Sequence, residues 1–270
     1  MVAARTIRTE FAPAEVPLWR EVLFGMDWIA LHASPVYYGL GVPRGDGAPV
    51  ILIPGFLGSD TYLTEMYQWL RRIGYQSYYS RIGRNAECPE VLTGRLFETM
   101  DQAYQETGRK LHLIGHSLGG LIARSAAMRR PKQVTQVICL AAPFRDIRAH
   151  PMVLAAAGFV RGQVIGRQRQ RQAEVKRECY TGNCTCEFAS SLRGELPKSV
   201  DRAAIYTMTD GVVDWRSCIE EDKRFNTKVD GTHVGLAFNP QVYRRVAVLL
   251  ASTGAGQRER RRPSTKGSRG

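Results

Sequence analysis

Leu113-Ile114-Gly115-His116-Ser117-Leu118-Gly119-Gly120 is the stretch on which the reading of this chain turns. An apolar run, Leu111 to Gly115, leads into it. A helical pattern, Leu118 to Arg130, leads out of it and is closed by Pro131. Inside the stretch stands G-x-S-x-G. Alone that pattern is weak. Between a strand and a helix it describes a tight, strained turn, which small residues two positions either side of the serine permit. Such a turn puts the hydroxyl at a helix N-terminus, where backbone N–H groups and the helix dipole favour developing negative charge. An ordinary serine in a Gly-rich turn is the plain alternative, and the strand–helix context weighs against it. Ser117 is the candidate nucleophile.

The surrounding pattern repeats the alternation. Val50 to Pro54 reads as a buried strand, Thr61 to Ile73 as a helix stopped by Gly74, and Tyr75 to Arg81 as a strand. Pro89 to Gln105 reads as a helix with Pro at its start and Gly108 past its end. Val134 to Ala141 and Ala203 to Met208 read as strands, and Pro240 to Ser252 as the last helix. This rhythm predicts an α/β fold: a doubly wound, mostly parallel sheet with helices on both faces. The crevice belongs outside the carboxyl ends of the strands. Phe144 to Val200 breaks the rhythm, with no obvious strand and an apolar helix at Pro151 to Val160. We read residues 144–200 as an inserted cap, 48–143 and 201–252 as the core, and 1–47 as an N-terminal helix and linker. Residues 1–15 read as flexible. Leu18 to Leu31 reads as amphipathic, with Leu18, Val22, Met26 and Ile29 on one face and Arg20, Glu21 and Asp27 opposite. Docking on the domain is its favoured role; contact with a membrane surface is the other. Residues 253–270 read as a disordered basic tail.

A serine hydroxyl needs a base. Of His32, His112, His116, His150 and His233, only His233 sits in a Gly-flanked loop before the last helix. That is where the base falls when the chain order is Ser, acid, His. His112 reads as packed within its strand, and His116 as pointing away from the Ser117 hydroxyl. Asp210 is the first carboxylate past the penultimate strand, with Asp214 one loop turn later. Asp210 is favoured to hold the imidazole tautomer. The oxyanion donors are expected at the N–H groups of Leu118 and Phe56, the latter in Pro54-Gly55-Phe56-Leu57-Gly58.

Ile51 to Gly58, Gly115 to Gly120, Asp210-Gly211-Val212-Val213 and Gly231-Thr232-His233-Val234-Gly235 together resemble the α/β-hydrolase superfamily, and within it bacterial triacylglycerol-lipase-like esterases. The resemblance covers about residues 48–250. Similar lipases carry their acid in a D-x-[VI]-V segment, which supports Asp210. They often have His-Gly where this chain has Pro54-Gly55, and G-T-P-H where it has Ala141-Ala142-Pro143-Phe144. The implied activity is hydrolysis of carboxylic esters through an acyl-enzyme, with a small-molecule or lipid ester as substrate. Acyl transfer by the same triad, and a binding protein on the same fold, are the alternatives.

Composition bounds the rest. The chain has 270 residues, 44% of them hydrophobic and 23% charged, which suits a globular protein with a large core. Its net charge is +13, and Arg161–Arg177 and Gln257–Gly270 each hold six basic residues and one Glu. The body is therefore not a basic nucleic-acid-binding surface, and no readout module accompanies the tail. A solvated helix face is favoured for the Arg run over binding of acidic headgroups, so weak association with an anionic membrane surface stays open. No apolar stretch reaches ~18 residues and no secretory signal is visible, so the cytoplasm is the default compartment, with membrane association as a variant. Cys179-x4-Cys184-x-Cys186 lacks the second pair of a zinc site, even with Cys218 as a fourth ligand. A disulfide within the cap or free thiols are favoured there. The chemistry needs no cofactor and no metal.

Overall fold

The computed structural model describes residues 11–170 and 184–261, the last eight of these as backbone alone. A short strand β1 (Phe11–Pro13) and a 3-10 turn (Leu18–Leu23) lead into helix α1 (Phe24–Ala33). Then come β2 (Pro49–Ile53), α2 (Thr64–Arg72), β3 (Gln76–Tyr79), α3 (Pro89–Thr107), β4 (Leu111–His116), α4 (Leu118–Arg129) and β5 (Val134–Leu140). The interval to residue 200 holds β6 (Ile147–Ala149), α5 (Pro151–Gln170) and α6 (Glu187–Leu192). β7 (Asp201–Thr207), β8 (Asn226–Val229) and α7 (Pro240–Arg261) complete the chain.

Six strands form one sheet in the order β3-β2-β4-β5-β7-β8, and every neighbouring pair is parallel. Side chains alternate across it with period two. Val50 and Leu52 pack with α2 and α7 through Met66, Trp69, Val242 and Tyr243. Ile51 and Ile53 face the other way, toward α3, α4 and α6 through Leu96, Leu121 and Leu192. Burial on both faces explains why these strands are continuous apolar runs. The chain steps from β2 to β3, then returns past β2 to β4. The switch point of the sheet therefore lies between β2 and β4.

Four expectations change. Residues 11–13, expected to be flexible, form β1, which pairs in parallel with β6 inside the segment expected to have no strand. Three-residue strands have no periodicity to read, and this pair joins residues 136 apart, Phe11 with Ile147. β8 was not expected either. Its Asn226-Thr227-Lys228-Val229 is an edge strand, with too few apolar residues to stand out. The last helix continues past Ser252 to Arg261, so the nearer part of the expected disordered tail is helical. Gln257, Arg258, Glu259, Arg260 and Arg261 are good helix formers, which offsets Gly254 and Gly256. Residues 262–270 and Cys179 lie outside the described residues.

The fourth change concerns the N-terminal segment. It docks, but with the opposite face. Val22, Met26 and Ile29 are 76%, 66% and 63% exposed, and Trp19 is 69% exposed. Glu21 and Asp27 point inward onto backbone N–H groups of the body. Of α1, Leu31 alone enters the apolar core. The reason is the docking ground, which is a pair of loops carrying unpaired N–H donors rather than an apolar face.

α5 begins against the loop past β7. There the His150 N–H donates to the Val212 carbonyl at 2.8 Å, and Val153 and Leu154 pack beside Val213. Its far end brings Arg167 4.0 Å from Glu87, in the loop past β3. Both loops lie at the carboxyl edge of the sheet. The helix, about 30 Å long, joins the ends of two strands that flank β5, β4 and β2. Among the described residues, no helix is long and apolar enough to cross a membrane.

Candidate active site

The carboxyl edge is where the backbone is strained. Among the described residues, four non-glycine residues have positive φ: Leu57 past β2, Arg81 past β3, Ser117 past β4 and Ala141 past β5. Ser117 has φ 52° and ψ −125°, a conformation that side-chain-bearing residues avoid. Strain of this kind costs of order 1–3 kcal/mol per residue and persists only when the surroundings enforce it. Here the enforcing contacts are close. A Cβ on Gly115 would meet the backbone of Gly119, and one on Gly120 would meet the Cβ of Ala142. Gly115 and Gly119, which flank the serine by two positions, therefore let strand and helix pack against the turn.

The structure brings Asp210 and His233 together. Asp210 Oδ2 lies 2.7 Å from His233 Nδ1, and both side chains are buried. Asp210 Oδ1 accepts from the N–H groups of Val212 and Val213, each at 2.8 Å. That pins the carboxylate from behind and leaves His233 Nε2 for the other side of the ring. Burial alone pulls the His233 imidazole down. The Asp210 charge and hydrogen bond, with the Glu21 charge, outweigh it and hold the imidazole above its ordinary 6.5. Asp214 has a different place. It caps the turn Trp215–Cys218 by accepting from the Arg216 N–H.

Ser117 is 9% exposed and sits at the N-terminus of α4. Among the described residues no hydrogen bond joins its hydroxyl to His233. Such bonds are often long in a ligand-free serine site and tighten with substrate. The loop past β2 lies directly on it. A Cβ on Gly55 would be 3.0 Å from the Ser117 Cβ and 2.9 Å from His116 Nδ1. Leu118, first in α4, has no intrahelical partner for its N–H. The next N–H along the β2 loop from Phe56, that of Leu57, goes to the Asn85 carbonyl at 2.8 Å, and Asn85 Nδ2 holds the Pro54 carbonyl at 2.9 Å. These bonds fix the loop that carries Phe56.

Three neighbours were not assigned a part in the sequence reading. His116 Nε2 is 2.9 Å from the His233 carbonyl oxygen, so Nε2 carries the proton. Burial holds its pKa down at about 3. Glu21 Oε1 accepts from the N–H groups of Gly211 (2.8 Å) and His233 (3.0 Å), and Oε2 accepts from Val234 (2.9 Å). Asp27 accepts from Asn239 Nδ2 at 3.0 Å and lies beside the Thr232 N–H; burial pushes its pKa up. Neither acid carries a motif, and both lie some 200 residues from the loops they hold. Of the other histidines, His112 packs against Gln136 and is held down at about 4 by burial, as its place in a strand implied. His150 accepts the Met152 N–H at the start of α5. Among the described residues no group of three or more His, Cys, Asp or Glu is arranged to hold a metal ion.

Comparison with known proteins follows the same lines. A family model described as serine aminopeptidase, S33, matches residues 94–189, which include Ser117 but not Asp210 or His233. A triacylglycerol lipase from Burkholderia plantarii is 29% identical over 153 residues, 53% of this chain and 41% of that protein. One from Pseudarthrobacter phenanthrenivorans is 30% identical over 106 residues, 36% of this chain and 33% of that protein. The chain thus spans less than half the length of these curated relatives. A solved monoacylglycerol lipase from Paleococcus ferrophilus is similar in fold, with a TM-score of 0.52 at 16% identity, over 78% of this chain and 97% of that one. The chain has the α/β-hydrolase fold. Within that class it resembles bacterial lipase-like esterases.

Proposed function

We propose that this protein hydrolyses carboxylic esters, with Ser117 as nucleophile, His233 as base and Asp210 as its partner. The carrying observation is the buried Asp210–His233 pair, which shares the carboxyl edge of the sheet with a serine held at positive φ. His233 Nε2 would take the Ser117 proton as Oγ attacks the ester carbonyl. The carbonyl oxygen becomes an oxyanion facing the N–H groups of Phe56 and Leu118. Collapse breaks the C–O bond, and the alcohol leaves with the proton from His233. Water repeats the sequence on the acyl-enzyme and frees the acid. No step calls on a metal or organic cofactor. α5 joins the two sides of the edge that holds Ser117, which supports a cap over the crevice and an apolar acyl or alcohol part. Acyl transfer to another alcohol or thiol is the second reading. The low exposure of Ser117 favours it, because a site that excludes water spares the acyl-enzyme.

Association with a lipid surface belongs to the same reading. Trp19, Val22, Met26 and Ile29 form an outward apolar stripe at helical spacing. The net charge of +13 adds attraction to anionic lipid, so anionic vesicles should retain the protein more strongly than neutral ones. Val22→Ser with Ile29→Ser removes apolar carbons worth about 4 kcal/mol at ~0.8 kcal/mol each, so retention should weaken by up to about 10³-fold in flotation assays.

The deciding experiment is labelling with a fluorophosphonate probe, together with turnover of p-nitrophenyl esters of increasing chain length. Wild type should label and turn over. Ser117→Ala should lose labelling and at least about 10⁴-fold of kcat. Folded wild-type protein that neither labels nor cleaves any ester would end the proposal in favour of a binding protein.

A further inference from the structure

We propose that Glu21 is a positioning residue for the Asp210–His233 pair. Its single carboxylate ties the loop that carries the acid to the loop that carries the base. The inference rests on the hydrolase reading and adds to it a group from outside the hydrolase core. Residues 18–33 precede β2 and fall outside every sequence signature of the class quoted above.

The geometry is specific. Glu21 accepts from the residue after the acid, Gly211, from the base residue itself, His233, and from the residue after that, Val234. All three bonds are 2.8–3.0 Å. The approach is tight enough that any side chain at position 211 must displace it. A Cβ there would lie 2.8 Å from Glu21 Oε1 and 2.7 Å from the Pro17 carbonyl oxygen. A surface helix that existed only to shield the core would turn Val22, Met26 and Ile29 inward. This one turns its acids inward and leaves those residues in solvent. Three charge-assisted hydrogen bonds at one point are the most direct physical reason for that orientation.

The second consequence is electrostatic. Asp210 and Glu21 are the two negative charges acting on the His233 imidazole. The other groups around it are neutral or engaged elsewhere. His116 is an uncharged imidazole bonded to the His233 carbonyl, and the Tyr62 hydroxyl donates to the Val234 carbonyl. The Cys218 thiol near Asp210 is kept protonated by burial, and Asp27 lies against Thr232 and Gly235. Glu21 therefore helps to stabilise the imidazolium that forms when Ser117 gives up its proton, while Asp210 alone holds the tautomer.

The test compares wild type with Glu21→Gln and Glu21→Asp. Each is examined by thermal melting, by NMR titration of the His233 ring and by the pH dependence of fluorophosphonate labelling. The titration needs no turnover, so it stands even if no ester is cleaved. Glu21→Gln should move the imidazole titration and the acid limb of labelling down by about one pH unit, with a roughly tenfold slower labelling rate. Glu21→Asp should restore the limb. A purely structural brace would lower the melting temperature and leave both pH values in place. Gly211→Ala is the independent variant, because it pushes the carboxylate aside without deleting it. It should shift the limb in the same direction, and it decides the matter if Glu21→Gln does not fold. A folded Glu21→Gln or Gly211→Ala protein with wild-type titration and labelling would overturn the proposal. A wild type that titrates as described but does not label would overturn the hydrolase reading and leave the electrostatic role of Glu21 intact.

Discussion

Asp210 uses both of its carboxylate oxygens, one on two backbone N–H groups and one on His233. An amide at that position keeps the shape and loses the charge. Asp210→Asn should therefore lower kcat about 10⁴-fold with little change in melting temperature, because it allows the wrong imidazole tautomer. Asp214→Asn, at a turn cap, should leave kcat unchanged. Steady-state kinetics on the two variants separates them. His233 also fixes the direction of pH effects. Its folded pKa lies above 6.5, so on the proposed mechanism, in which the neutral ring is the base, activity should rise as pH climbs through that value. Its contribution to stability runs the other way. It is present in full below pH 6.5 and is lost as pH rises through the folded pKa. At this scale the sequence was most legible where chemistry and local context coincide. Ser117 lay in a strand–turn–helix pattern, and Asp210 and His233, which the structure pairs, lay in Gly-containing loops. Glu21 was invisible because its meaning lies in three N–H groups about 200 residues away.

Elements show how glycine shapes the edge. Gly55 lies in the loop past β2, with the Ser117 side chain in the place a Cβ would need. Gly55→Ala must push that loop away from Ser117, the proposed nucleophile, and with it the Phe56 N–H. The expected loss is ~2.7–4 kcal/mol of barrier stabilisation, or about 10²–10³ in kcat, in a protein that still folds and still labels slowly. The N-terminal segment gives a stability counterpart. Leu31 is the fully buried apolar anchor of α1, so Leu31→Ala should cost about 2–5 kcal/mol, read as a fall in denaturation midpoint. Long central strands and long helices were readable because their apolar residues repeat with periods of two or 3.6. β1 and β6 were not, because three residues carry no period, and β8 was not, because its four residues are mostly polar. The inward face of residues 18–31 was misjudged because amphipathicity reports which face is apolar, not which face meets the body.

The whole molecule places its polar groups with consequences for acid stability. His112 and His116 are buried and neutral, held at about 4 and about 3 by burial. Each takes a proton near pH 6.5 when unfolded and not when folded. Their stabilising effect is therefore complete above pH 6.5 and is lost as pH falls toward those lower values. Between pH 6.5 and pH 5 the two together should remove about 4 kcal/mol, at ~1.36 kcal/mol per pH unit each. Urea titrations at pH 7, 6 and 5 would show it, and His112→Gln should flatten the slope by half. The α/β architecture and its carboxyl-edge crevice were legible from the alternation of elements alone. The way distant segments close the site was not. That closure has a temporal side. The bond from Glu21 to the His233 N–H links residues 212 apart in sequence. At ~5–20 residues per second, a ribosome would take roughly 10–40 s to bring the second after the first. Through that interval the early helix has acids without partners and an uncovered apolar stripe, a form that chaperones would recognise. On the proposed function, the nascent chain would hold its serine turn well before it could use it, and hydrolysis would begin only when translation of the His233 loop lets the earlier helix close against it.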